Sequence, residues 1–201
     1  SLSFTESTYD TVAASSFDDI STMLSAGTNN QSRYDGQSQG LATDAVIKLE
    51  TPGAGDIARA WGAPLPGGEN SYFVGLHRNK RGISIDLKTA QGKELFFRLA
   101  EKADVVLENF RPGALEKLGL GYEAVKARNP GIIYTSVSGF GQDGPYRDRA
   151  AMDLIVQAES GMISITGEPG GHGVRCGVSI ADLTAGMYAA YGTMQIGRAH
   201  V

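Results

Sequence analysis

Asp104-Val105-Val106-Leu107-Glu108 and Ile132-Ile133-Tyr134-Thr135-Ser136-Val137 are two short β-branched runs, and the residues between them decide the fold. Neither run is long enough for a helix, and each is closed by turn-forming residues, so both read as strands. The intervening chain predicts two short helices, around Pro112 to Leu118 and Tyr122 to Arg128. Upstream, Val46-Ile47-Lys48-Leu49-Glu50 predicts a strand closed by Thr51-Pro52-Gly53, and Ile83-Ser84-Ile85-Asp86-Leu87 another. Thr89 is a suitable N-cap for a helix to about Ala103, with Leu95, Phe96, Leu99 and Ala103 on one face. Strand, helix, strand, helix, strand at this spacing gives an α/β class with a parallel sheet and crossover helices. Two more helices are expected, near Asp153 to Ile165 and Ser179 to Met194, the second with Ile180, Leu183, Met187, Tyr191 and Met194 on one stripe.

The ends differ from this pattern. Residues 1–40 are rich in Ser, Thr, Asp, Asn and Gly without an apolar period, and such composition does not offset its ordering entropy. They read as a disordered or non-homologous segment, with Val12 to Leu24 the one place for a short helix. Residues 41–194 form the α/β part. Gln195 to Val201 break the helical pattern and resemble the in-frame translation of a sequencing adapter, so they read as a non-native tail.

Bulk properties narrow the function. The 201 residues are 41% hydrophobic and 20% charged, with no apolar stretch of bilayer-spanning length, so no membrane role is expected. A net charge of -4 and a pI of 5.4 are wrong for a phosphate-backbone binder, so no nucleic-acid partner is expected. The lone Cys176 cannot form an internal disulfide and reads as a small packed residue, and a cytoplasmic location is the simplest expectation. His77 and His172 lack the spacing of metal ligands, so no metal site is expected. Trp61 reads as core, and Gly167-Glu168-Pro169-Gly170-Gly171 as a turn.

Several motifs carry chemistry. Asp182 is a lone carboxylate in Gly177-Val178-Ser179-Ile180-Ala181-Asp182-Leu183, at the head of a predicted helix whose N-terminal potential favours an anion. Glu108-Asn109-Phe110-Arg111-Pro112-Gly113 lies at the end of a strand. Taken singly, Arg78-Asn79-Lys80-Arg81 reads as a solvated turn. Gly139, Gly141 and Gly144 form a G-x-G-x-x-G after a strand, but Pro145 follows and Tyr146 to Ala151 has no helical period. The dinucleotide fingerprint therefore lacks its helix, and the segment reads as a turn.

Taken in order, these motifs, with Arg78 to Lys88, Leu118-Gly119-Leu120-Gly121-Tyr122, Ser138 to Tyr146 and Gly161 to Gly167, resemble the class III coenzyme A transferases, the carnitine dehydratase and bile-acid-inducible family. The resemblance covers about Ala45 to Met194. It implies part of a Rossmann-like large domain, incomplete at both ends, from longer proteins that interlace as homodimers. It also implies transfer of CoA from an acyl-CoA to a small carboxylic acid, with CoA as substrate and no permanently bound cofactor.

By the same resemblance Asp182 is the nucleophile, forming an aspartyl-CoA thioester, and Asp153 is a carboxylate near the reacting group. Ile85, Lys88, Asn109, Phe110, Lys117 and Leu118 match the CoA pocket, with Arg111 in the same loop. Thr51 stands where the family often has an arginine, which removes one phosphate contact. Two alternatives accompany this reading. One is a 2-methylacyl-CoA racemase of the same fold, against which Met152 replaces the histidine base of that branch. The other is an inactive fragment that only binds CoA.

Overall fold

The computed structural model describes residues 11–13, 46–77 and 80–199. The chain divides into two compact units, Ser1–Arg98 and Leu99–Val201.

In the first unit, strands β1 (Thr11–Ala13), β2 (Val46–Glu50) and β3 (Lys80–Ser84) form a parallel sheet in the order β1-β3-β2. Ile83 is the central register point, facing Val12 on one side and Leu49 on the other. Parallel neighbours need a crossover. Here a 3-10 turn (Ile57–Ala60) and helix α1 (Ser71–His77) provide it between β2 and β3. Val12 and Ala13, expected to open a helix, are strand residues instead; the rest of that expected helix lies outside the described residues.

The anchor of this unit is an ion pair. Glu50 ends β2 and is 5% exposed; its carboxylate accepts from Arg59 Nε at 2.8 Å, Arg59 Nη2 at 2.9 Å and the Asp56 amide at 2.9 Å. The Arg59 guanidinium also lies 4.1 Å from the centre of the buried Phe73 ring. A planar fork matches both a carboxylate and an aromatic face, which lysine could not do. Asp56 in turn pairs with Lys48 and caps the 3-10 turn through the Ala58 amide at 2.8 Å.

Strand β3 begins and ends earlier than its apolar run suggests. Asp86 starts a turn, its side chain accepting from the Lys88 amide at 2.9 Å and its carbonyl from the Thr89 amide at 3.2 Å, so the ladder stops at Ser84. Lys80 and Arg81, expected in a solvated turn, are half-buried strand residues. Lys80 Nζ lies 3.2 Å from His77 Nδ1, and burial together with the charges of Lys80 and Lys48 holds the imidazole below its ordinary pKa. Trp61 is 40% exposed and meets Tyr72 edge to face at 5.7 Å, a surface stack rather than core.

Helix α2 (Ala90–Ala100) starts where Thr89 Oγ1 accepts from the Gly92 amide at 3.0 Å, the expected N-cap. It buries Leu95, Phe96, Leu99 and Ala100. Its end comes before Ala103 because Asn129 Nδ2 donates to the carbonyls of Ala100 and Ala103, at 3.0 and 2.9 Å. The Ala100 carbonyl also accepts from the Ala103 amide at 3.3 Å, so the side-chain amide fastens the turn that ends the helix.

In the second unit, β4 (Val105–Glu108) and β5 (Ile133–Ser136) pair in parallel, Val105 opposite Ile133 and Glu108 opposite Ser136. Helices α3 (Ala114–Leu118) and α4 (Tyr122–Arg128) connect them, burying Leu115, Leu120 and Val125. Helix α5 (Asp153–Glu159) is shorter than expected. Ser160 Oγ bonds the Gln157 carbonyl at 3.1 Å and Gly161 turns into the left-handed region, so Ile163–Ile165 forms a separate 3-10 turn.

Helix α6 (Ile180–Ala199) is longer than expected and runs through residues read as a tail that breaks the helix. It docks on β5 through Thr193 Oγ1, 2.7 Å from Thr135 Oγ1. The predicted stripe is not what docks: Leu183, Met187, Tyr191 and Met194 are each more than half exposed. No helix of the described residues is long and apolar enough to cross a membrane.

Replacing Arg59 with Ala takes the bidentate guanidinium from the buried Glu50 carboxylate and is expected to destabilise the protein by about 3–5 kcal/mol. The double variant lacking both side chains should lose less than the single one. Urea denaturation of the wild type, Arg59→Ala and the Glu50→Ala/Arg59→Ala pair measures the difference, and equal losses contradict the anchor role.

Candidate active site

Helix α6 begins with amides that have no partner inside the helix. Asp153, the first residue of α5, supplies one from outside. Its Oδ1 accepts from the Ala181 amide at 2.8 Å and from the Asp182 amide at 3.3 Å, while its Oδ2 accepts from Gln157 Nε2 at 2.6 Å. Met152 before it is extended, φ -134° and ψ 164°, which turns the chain into α5 and leaves Asp153 9% exposed. Three N–H donors on one buried carboxylate stabilise its charge without a cation.

Asp182 shares that first turn and remains exposed. The sequence suggests that the helix N-terminus favours its anion, but the amides there are taken by Asp153. Partial burial, and then the negative charge of Asp153, raise the Asp182 carboxyl above its ordinary pKa. The two carboxylates thus have different tasks: one organises the helix end, and the other is a more basic oxygen facing outward.

Gln157 is the residue sequence reading missed. One turn beyond Asp153 on α5 and 1% exposed, it donates to Asp153, accepts from the Cys176 amide at 2.8 Å, and directs Nε2 at the Val178 carbonyl at 3.4 Å. The available signal was an amide four residues after a candidate carboxylate, on the same helix face. Cys176 is half-buried in the loop that Gln157 holds.

The glycine-rich segment after β5 forms no crossover helix, as expected from Pro145. It is bound to α5 from two sides. A Cβ on Gly139 would lie 2.1 Å from Ala151 Cβ, so only glycine permits this approach, two residues before Asp153. Phe140 and Tyr146 meet edge to face at 5.7 Å, and the Arg149 guanidinium lies 4.6 Å from Tyr146 and 5.3 Å from Phe140. Arg149 Nη2 then bonds Glu159 Oε1 at 2.6 Å, at the far end of α5.

The residues expected to hold CoA fall in both units. In the second, Asn109, Phe110 and Arg111 follow the C-terminal end of β4, where parallel sheets present ligands. Asn109 Nδ2 donates to the Val137 carbonyl at 2.8 Å, and the Phe110 amide donates to Glu108 Oε2 at 2.7 Å, which leaves the Phe110 ring 52% exposed. Arg111 and Lys117 are exposed, and Leu118 is half-buried on α3. In the first unit, Ile85 is buried, its amide donating to the Glu50 carbonyl at 3.0 Å, whereas Lys88 is exposed at the Asp86 turn. Among the described residues no group of His, Cys, Asp and Glu could hold a metal ion.

The second unit thus carries an outward carboxylate at a helix head, a second carboxylate capping that helix and a glycine loop tied beside it. Comparison with known proteins gives the class a name. The chain belongs to CoA-transferase family III, whose model matches residues 45–198. It is 49% identical over 150 residues to the succinate–glutarate CoA-transferase of Agrobacterium fabrum, covering 72% of this chain and 38% of that protein. With the human succinyl-CoA:glutarate CoA-transferase it shares 45% over 152 residues, 76% of this chain and 34% of that one. A CAIB/BAIF family protein from Brucella suis superimposes with a TM-score of 0.72 at 42% identity, over 78% of this chain and 43% of that one. The chain thus spans less than half the length of these relatives.

Gly139→Ala places a methyl group inside the Ala151 contact, and the loop must move away from α5. The expected cost is about 1–3 kcal/mol of stability together with loss of activity in the complete protein. Thermal unfolding and turnover check it; an unchanged melting temperature contradicts the close approach.

Proposed function

We propose that the complete protein transfers coenzyme A from an acyl-CoA donor to a carboxylic acid acceptor, with Asp182 as the nucleophile. The observation that carries this reading is the exposed Asp182 carboxyl, made more basic by partial burial and by Asp153, at the mouth of a helix whose amides are already occupied. An Asp182 oxygen attacks the thioester carbonyl and expels CoA thiolate, forming a mixed anhydride. The thiolate attacks the aspartyl carbon and releases the donor acid, which leaves an aspartyl-CoA thioester. The acceptor carboxylate attacks that thioester, and the returning thiolate takes the acceptor acyl group and frees Asp182. No water, metal or net proton transfer is required.

Asp153 is the second carboxylate of the site and positions the helix that carries Asp182. Within the second unit the exposed Phe110 ring and the cationic Arg111 and Lys117 suit the adenine and phosphates of CoA, with Asn109 and Leu118 beside them; in the first unit Lys88 and Ile85 are CoA contacts by family resemblance. The relatives named for succinate and glutarate support short dicarboxylic acids as the exchanged partners. Membership of the family supports a homodimer, and the single cysteine a cytoplasmic location. Racemization is disfavoured because Met152, although 68% exposed, has no titratable proton.

Incubating the complete protein with succinyl-CoA and hydroxylamine is expected to give a hydroxamate at Asp182, read by peptide mass spectrometry. Asp182→Asn should lower turnover by roughly 10³-fold or more. The anion is the reactive form and its pKa is raised, so kcat should fall on acidification at a higher pH than an ordinary aspartate requires. Turnover by the Asn variant at the normal rate removes Asp182 from the mechanism.

A further inference from the structure

Gln157 is almost fully enclosed, and its side chain bonds the Asp153 carboxylate, the Cys176 amide and the Val178 carbonyl. Its orientation is dictated by its partners. The Cys176 amide can only donate, so Oε1 must face it; Nε2 is then left for the Asp153 carboxylate and the Val178 carbonyl, both acceptors. A reversed amide would set donor against donor at one end and acceptor against acceptor at the other.

We propose that Gln157 is a positioning residue for the transfer reaction: it clamps the Asp153 carboxylate in the one rotation that caps α6, and so fixes where Asp182 meets the thioester. The terminal torsion of an aspartate is soft, so a capping carboxylate needs its second oxygen held if the first is to stay aimed. Gln157 holds that second oxygen at 2.6 Å while Oδ1 receives the Ala181 and Asp182 amides. The same amide holds Cys176 and Val178, the chain that leads directly into α6. One side chain therefore sets both the cap and the entry of the helix that carries the nucleophile. A glutamine does this without adding charge, whereas a cation in its place would offset the negative field of Asp153 on Asp182.

This inference rests on the transfer reading, and two variants of the complete protein test it. Gln157→Leu keeps approximate volume and removes all the bonds. It is expected to lower kcat by roughly 10²-fold while KM for acyl-CoA changes by less than about threefold, with faster amide exchange at Ala181 and Asp182. Gln157→Glu puts a second carboxyl against Asp153, and two such groups share one proton. While the proton is held, the Glu hydroxyl replaces the lost donor; when it leaves, the clamp opens. The kcat profile of Gln157→Glu should therefore lose activity on the alkaline side where the wild type does not. Asp182 of α6 and Cys176 of the preceding loop are titratable residues that adjoin the pair, and both are present in the wild type and in each variant.

A Gln157→Leu protein with kcat within about twofold of wild type overturns the proposal. If that variant does not fold, a Gln157→Glu profile that matches the wild type overturns it equally. Normal turnover by Asp182→Asn sinks the transfer reading alone, since amide exchange at Ala181 still reports whether Gln157 holds the cap.

Discussion

The site depends on one carboxylate accepting from three N–H groups, two at the start of α6 and one on its own helix α5. Asp153 joins α5 to the start of α6 through Ala181 and Asp182, and through Gln157 to the loop between them. In water such bonds are exchanged for equally good ones and contribute little. Within an enclosed pocket the comparison is with an unsatisfied charge, which is far more costly, and the geometry is therefore strongly determined. The first unit applies the same principle with different chemistry: the Glu50 carboxylate is neutralised by Arg59, whose guanidinium also packs on Phe73. There a cation can be tolerated because no reactive anion is in the same cluster.

Much of the α/β pattern was readable from local residues. Strands β2, β4 and β5 are apolar runs bounded by turn formers, and the cap at Thr89 depends on one hydroxyl at one spacing. What was not readable depended on contacts distant in the chain. The three residues of β1 have no periodicity to detect and become a strand only by pairing with Gly82, Ile83 and Ser84. The end of α2 is set by Asn129, far along the sequence, and the start of α6 by Asp153.

The apolar stripe on α6 was present as read, but its role was not what helical periodicity implies. A stripe predicts that something covers it, and within this unit the covering contact is made instead through Thr193. For the candidate site, the two aspartates were legible through family resemblance, whereas Gln157 was not. A glutamine in a helix faces solvent by default, and only the convergence of a carboxylate, a carbonyl and an amide makes it an interior residue.

The position of Asp153 beside Asp182 has an energetic consequence for the covalent intermediate we propose. In the resting protein burial first, and then the negative charge of Asp153, disfavour the Asp182 anion and raise its carboxyl above the ordinary value. Under the proposed transfer, acylation would make that oxygen neutral and remove the penalty that its anion carries, so the adduct would be favoured by the loss of an electrostatic cost as well as by bond formation.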